Sequence, residues 1–498
     1  MPETDFDENV NPDLLARATA IAEEHTDGDE YSYLMEIIST QQAGRGNLEI
    51  AIERAESIPD PYLKDRAMGA VAVKASEQGK SQLALELVDT VQDQMLYETY
   101  VEQIAVNTAV EGHYEEAIQL AEGLGDPSPV LSNIVSVYVT KGDVSGALEL
   151  ARSIETIGVK VNTFNHIAAK LAQDGNTDDA LQLVQEGAAE IDDIEFPEDQ
   201  IHALVGMAVI LDKLGEKGNG FDKLAEAHKI CRTLDSSDPA SIIGKDETLI
   251  EVIGGFGELK FFEKADQILE EIDGPFQFAQ AGIRLAHSYF RDARDAEAEE
   301  LLVQAVEICK EEKTYGEQGI RLQNRLFAEI AAAYALHKRF DQAIEIINLV
   351  RADDDKRAIV ETVGILAARA NEVGIVERVG GLLENPTAGS SYWVQVADAF
   401  AELNESEEVS KSLSKALKSS EAIELVYDRV LATGEIAARS SNQSLALFTR
   451  AIKMIPQIES RYRQARALLS AAAKFSIATR NLDAAEPEAL AVDIFPLA

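Results

Sequence analysis

The stretch GHYEEAIQLAEGL (Gly112–Leu124) returns thirty residues later as GDVSGALELARSI (Gly142–Ile154). Both open on Gly, pass through a few polar residues, and settle into apolar positions three and four apart. That spacing is the period of an amphipathic helix. A Gly just ahead of it suits the left-handed backbone that ends a preceding helix, because it has no Cβ to clash. Aligned on its alanine, the phrase spreads along the chain. Ala18, Ala51, Ala84 and Ala117 lie 33 residues apart, Ala147 follows after 30, and Ala180 after another 33. Weaker echoes fall at Ala225, Ala265, Ala298, Ala343, Val376, Leu413 and Ala446, spaced 33 to 45 apart. A period in this range marks stacked helical units rather than separate globular domains.

Each unit reads as two helices. The quoted phrase is the second, preceded by a Gly turn at Gly79, Gly112, Gly142 or Gly175, and its small alanine lets two helix backbones approach closely. The first helix carries its own stripe, as in Ile134, Val135 and Tyr138, in Ile167, Ala168 and Leu171, or in Leu285, Ala286 and Tyr289. Units begin at Asp60-Pro61, Asp126-Pro127 and Asn385-Pro386. Asp and Asn cap free amides at a helix start, and Pro is tolerated in the first turn. No sustained alternation or Asn-Gly hairpin signals a strand. The expectation is an all-α, right-handed superhelical α-solenoid of about 13 helix-turn-helix repeats.

With its Gly turn, its alanine and the break that follows, GHYEEAIQLA resembles the second helix of a tetratricopeptide repeat. The resemblance takes in Tyr138, Tyr289 and Tyr334 near the ends of first helices, and Tyr114, Phe262 and Phe340 just before the second-helix alanine. In one form or another it spans nearly the whole chain. It departs from the family where the early first-helix aromatic is missing and where three intervals stretch to 40–45 residues. A HEAT-like or mixed helical array stays open beside it. The array divides softly: residues 1–188 are regular 33-residue repeats, 189–344 longer repeats, and 345–498 irregular repeats with a basic end. In a continuous array such divisions are hinges, because units touch only their neighbours.

Composition narrows the partners. Hydrophobic residues make up 46% of the 498, enough for a large core and too many for a disordered chain. Acidic residues number 88 against 45 basic, a net charge of −43 spread along the whole chain. Such an excess disfavours general binding to nucleic acid or anionic lipid, which need Lys and Arg. Spread this evenly, it is expected of a salt-adapted, archaeal-type cytoplasm, although Lys (22) and Arg (23) are balanced. Two cysteines cannot build a disulfide framework, and neither a basic-then-apolar leader nor a membrane-length apolar run occurs. The expectation is a soluble cytoplasmic protein.

Motifs that would carry chemistry are scarce. The histidines (25, 113, 166, 202, 228, 287 and 337) stand apart without metal-ligand spacing, so no metal is expected. Cys231 and Cys309 share an Ala-x-x-Ile-Cys-basic phrase, which makes them equivalent buried positions of two repeats. The glycine-rich texts Gly254-Gly255-Phe256-Gly257 and Gly215 to Gly220 match no phosphate loop. Asp353-Asp354-Asp355 and Asp192-Asp193 read as helix-start acids. An α/α-toroid glycosidase would need paired carboxylates and aromatic platforms, and Trp393 is the single tryptophan. No catalytic residue and no cofactor is assigned; the chain is expected not to be an enzyme.

One segment departs from the rest. Between positions 450 and 480 stand Arg450, Lys453, Arg461, Arg463, Arg466, Lys474 and Arg480 against a single acid, Glu459. Either these cations neutralise acidic helices of the preceding units, or they dock an acidic peptide, RNA or a phosphate-bearing partner. The resemblance implies a scaffold or adaptor that holds a peptide or a partner's helix on the face made by the first helices. Its polar candidates are Asn107, Asn133, Asn165, Lys170, Arg284 and Arg325. Asn133 and Asn165 match the asparagines of the family's clamp for acidic C-terminal peptides, without the accompanying run of cations. A nucleic-acid role at the basic end is the alternative, against which stand the overall charge and a lack of aromatics interleaved with the bases. No membrane partner is expected.

Overall fold

The structure is a computed structural model that describes residues 14–25, 28–234, 244–311, 316–350, 353–440 and 443–481. Those residues form 26 α-helices and no strand. The first is α1 (Leu14–His25). Pairs follow: α2 (Gly28–Gly44) with α3 (Leu48–Glu56), α4 (Pro61–Ser76) with α5 (Ser81–Val88), α6 (Gln94–Val110) with α7 (Tyr114–Glu122), and α8 (Ser128–Lys141) with α9 (Val144–Ser153). Next come α10 (Ile157–Gln173) with α11 (Thr177–Ala188), α12 (Pro197–Lys213) with α13 (Lys217–Cys231), α14 (Lys245–Glu258) with α15 (Phe262–Leu269), and α16 (Pro275–Arg291) with α17 (Asp295–Glu311). The last pairs are α18 (Gly316–Leu336) with α19 (Phe340–Ile347), α20 (Asp353–Arg369) with α21 (Val373–Gly380), α22 (Pro386–Glu402) with α23 (Ser406–Glu421), and α24 (Val426–Arg439) with α25 (Ser444–Met454). The chain of helices closes on α26 (Arg461–Asn481).

The Asp-Pro and Asn-Pro starts do what their chemistry dictates. The Asp60 carboxylate accepts from the Leu63 amide at 2.8 Å, Asp126 from Ser128 at 3.0 Å, and Asn385 from Thr387 at 2.8 Å.

One turn joins the two helices of every pair from α2–α3 to α22–α23. A residue with positive φ comes first: Gly46, Gly79, Gly112, Gly142, Gly175 and Gly215, then Lys260, Ala293, Lys338, Asn371 and Asn404. The next amide donates back to a carbonyl five residues earlier, as His113 to Thr108, Phe261 to Phe256 and Arg339 to Tyr334. This is the Schellman closure of a helix C-terminus. Four residues further on, an amide bonds the same linking residue's carbonyl and starts the second helix: Ala117 on His113, Gly220 on Glu216, Val409 on Glu405, Leu447 on Gln443. The side chain there is the anchor.

Ala51, Ala84, Ala117, Ala147, Ala180, Ala265, Ala298 and Ala343 are anchors and fully buried. Three of the echoes are corrected. The anchor of α13 is Gly220 and not Ala225: a Cβ at Gly220 would stand 2.9 Å from the Ala208 carbonyl, so the close approach there demands glycine. Those of α23 and α25 are Val409 and Leu447, the sequence having slipped to Leu413 and to the exposed Ala446.

The chain forms two compact units, residues 105–359 and residues 1–104 with 360–498. In the first, Tyr114 stacks on Tyr138 with ring centres 3.8 Å apart, and Phe262 on Tyr289 at 4.4 Å. Both stacks join a second helix to the next first helix, so these four aromatics of the repeat pattern are cross-repeat rivets. In the second unit a series of clasps joins successive first helices. Arg369 meets Glu402 at 2.9 Å, Asp398 meets Arg439 at 2.8 Å, and Glu435 meets Lys474 at 2.5 Å.

Candidate functional site

The glycine-rich texts are packing devices. On α14, a Cβ at Gly254 would press Arg284, one at Gly255 would meet Leu224 at 2.6 Å, and one at Gly257 would meet Ser288 at 2.9 Å. Gly215 is a hairpin turn and Gly220 an anchor. Cys231 and Cys309 are wholly buried, and burial pushes their thiols up to about 11 and about 12. Neither behaves as a nucleophile. No described helix is long and apolar enough to cross a membrane.

The histidines are less isolated than their spacing suggests. His287 Nδ1 and His337 Nε2 lie 3.1 Å apart, and the His337 ring stacks on Phe290 at 4.4 Å. Burial, together with His337 and Arg291, pushes His287 down to about 4, and burial lowers His337 as well. His202 is instead raised by its bond to Glu251. Periodicity could not show the His pair, because it joins the middle of α16 to the turn after α18. Among the described residues no three His, Cys, Asp or Glu side chains gather into a metal-binding group.

The first-helix candidates divide by burial. Asn133 is exposed on α8, and Asn107 half-buried on α6. Asn165 is buried: its amide donates to the Ala203 carbonyl at 3.0 Å, tying α10 to α12, while its Oδ1 has no partner. It is an internal tie, not a groove residue. Lys170 pairs with Asp174 at 2.7 Å and Arg325 with Glu329 at 3.1 Å, both along their own helices. Arg284 is exposed, with its stem across Gly254.

The basic end also divides. Arg450 reaches Glu421 at 2.9 Å, and Lys474 reaches Glu435 at 2.5 Å. Burial raises the Glu435 carboxyl, but Lys474 and Arg439 outweigh it and hold it below the ordinary carboxylate range. These two cations neutralise acids of the preceding repeats. The others do not. Arg461 donates to Gln464 at 2.9 Å, Arg463 lies 5.8 Å over the Tyr427 ring, and Arg466 lies 5.7 Å over Tyr462. All three are exposed, as is Lys453, and among the described residues none of the four meets a carboxylate. The Arg480 side chain lies outside the described residues. Aromatic rings therefore do stand among the bases, contrary to expectation: Tyr462 is adjacent in sequence, while Tyr427 comes from α24. Beside this group a cavity of about 550 Å³ opens between α1 and α26, with Ile21, Ile455, Ile458 and Leu468 in its wall and Arg17 and Arg461 at its edge.

No family model matches the chain, and no curated protein matches it. Among solved structures, Ton1535 from Thermococcus onnurineus NA1 is 15% identical, with 72% of this chain and 97% of that one covered, at a TM-score of 0.23. Yeast Tom70 is 11% identical, with 90% and 96% covered, at a TM-score of 0.25. A circular tandem repeat protein of novel repeat topology is 12% identical, with 95% and 99% covered, at a TM-score of 0.18. By its own helix pairs, their common turn and their buried anchors, the chain is a tetratricopeptide-like helical-repeat protein.

Proposed function

We propose that the protein is a non-catalytic scaffold for a protein or peptide partner, and that its basic end takes an acidic segment of that partner. One observation carries the reading. In a chain with 88 acids against 45 bases, three exposed arginines on the first turns of α26 contact Gln464, Tyr427 and Tyr462 instead of carboxylates. A guanidinium laid over a ring keeps its donor fork available, and that fork matches a carboxylate in bidentate geometry. Lys453 extends the group, and Arg480 follows on the same helix. Asn133, Arg284 and Arg325 are the first-helix positions offered to the rest of the partner. The two tyrosines favour a second reading, in which bases of single-stranded RNA stack beside the arginines.

Fluorescence anisotropy with a labelled Glu-rich peptide and a labelled oligouridylate, at low and at about 1 M salt, separates the two readings. The peptide is expected to bind, and to persist at high salt because screening reaches only to about 3 Å there. Arg461→Ser, Arg463→Ser and Arg466→Ser combined should weaken it about tenfold or more, with helicity by circular dichroism unchanged. Equal binding by the triple variant overturns the docking site. Binding of the oligouridylate in preference to the peptide replaces it with the RNA reading.

A further inference from the structure

Two helices lack a partner beside them in sequence. α1 carries Ala18, in register 33 residues before Ala51, so it is a second helix with no described first helix before it. α26 follows α25 as a first helix would, with no described second helix after it. These two pack on each other as the helices of a pair do. α26 also lies against α24 and α2, both first helices, and α1 lies against α2 as a second helix lies against the next first helix. One repeat is thus assembled from the first and last described helices.

The joint is apolar with a polar clasp. Leu15, Ala18 and Ala22 on α1 are at most 1% exposed, and Ala465, Leu468, Leu469 and Ala472 on α26 at most 3%. From α2, Gln41 Nε2 donates to the Leu469 carbonyl at 3.2 Å and Arg45 Nη2 to that of Ala472 at 3.5 Å. The cavity of about 550 Å³ runs along the same joint, from Ile21 to Leu468. Its wall faces solvent rather than a packed neighbour, so the seam is open along that side.

We propose that the α26 face is an exchangeable docking surface whose occupant is an α1 helix: the chain's own when the seam is shut, and that of a second copy when it is open. The seated α1 defines what fits, a helix with the Leu15-x2-Ala18-x3-Ala22 stripe, and every copy of the chain carries one. Only two positions, Thr26 and Asp27, separate α1 from α2. So short a tether gives the chain's own α1 a high effective concentration and keeps the parent chain monomeric. Spoiling that seat bares Leu468 and Ala472, an apolar face that a second copy's α1 covers.

Complementation between two full-length variants tests this. Ala18→Glu spoils α1 and leaves α26 intact; Leu468→Glu spoils α26 and leaves α1 intact. By native mass spectrometry each alone is expected to be monomeric, and their equimolar mixture to give a one-to-one heterodimer. A mixture that stays monomeric, with both variants as helical as the parent, overturns the proposal. Should a buried Glu unfold either variant, the Gln41→Ala, Arg45→Ala double variant carries the test, because it removes the polar clasp without burying a charge. It should form dimers at concentrations where the parent is monomeric, with amide exchange in α1 at least tenfold faster. A monomer with the parent's exchange rates overturns the proposal equally.

Discussion

Among the described residues six hairpin turns, from Gly46 to Gly215, bend at a glycine; five, from Lys260 to Asn404, bend at a residue with a side chain. Both sets enter the left-handed region. The glycines have φ between 70° and 94°, the others between 57° and 61°, and the same hydrogen bonds flank both. For an L-residue this conformation costs about 1 kcal/mol or more, least for Asn. Glycine therefore does not create the turn. The C-terminal closure and the anchor four residues past the linking residue demand it, and glycine only makes it cheap. The later hairpins hold a strained residue because their surroundings over-determine it.

The comparison would break first under a β-branched residue. Gly112→Val and Gly142→Val should each destabilise the chain by about 2–3 kcal/mol, read from the urea midpoint at unchanged slope. A Cβ at either place meets nothing within 4 Å, so the loss is backbone strain alone. Ala293→Val, starting from a residue already strained, should cost about half as much. Equal losses would mean that the surroundings and not φ set the cost.

Next in size is a pH effect confined to the side-chain-bearing turns, since His337 immediately precedes Lys338. His287 faces His337 and Arg291, with Asp295 and Arg339 next to His337. Folded, His287 stays neutral down to about 4, whereas the unfolded chain protonates it near 6.5. The unfolded state thus binds more protons in this window, and stability is lost as pH falls from 6.5 toward 4. The loss is about 2 kcal/mol once partial exposure is allowed for. His287→Asn should flatten that part of the profile. A profile unchanged in the variant would show that other groups carry it.

Smallest are the gains. Lys260→Gly, Ala293→Gly and Lys338→Gly should each stabilise by about 0.5–1 kcal/mol, the relief of strain exceeding the added freedom of the unfolded chain. Asn371→Gly and Asn404→Gly should change stability by only about 0.3 kcal/mol, because Asn enters this region readily. If the Asn and Lys positions respond alike, intrinsic preference is not what separates the two sets.

The same contrast explains how far the fold was legible. Up to Ala180 both signals, the Gly turn and the small anchor, are written in residue types, and every anchor was found. At Gly220 the anchor itself became glycine, and an alanine search slid to Ala225. Beyond Lys260 the turn had no glycine to announce it. Ala265, Ala298 and Ala343 still held the register, but Val409 and Leu447 were lost among other apolar residues. At the basic end, composition marked the cluster. It could not show that Arg450 and Lys474 turn back to acids 29 and 39 residues earlier, while Arg461, Arg463 and Arg466 do not. The meeting of α1 and α26 left one trace, an alanine in register at position 18 with no described first helix before it.

The buried cysteines give the folded chain a further property. Cys231 and Cys309 stand eleven residues past their anchors, Gly220 and Ala298, in the sixth and eighth hairpins. With thiols titrating near 11 and 12, the native molecule presents almost no thiolate, and an alkylating reagent must wait for local opening. Two native clocks, two repeats apart, therefore run in one unlabelled molecule, and a single mass-spectrometric time course reads both.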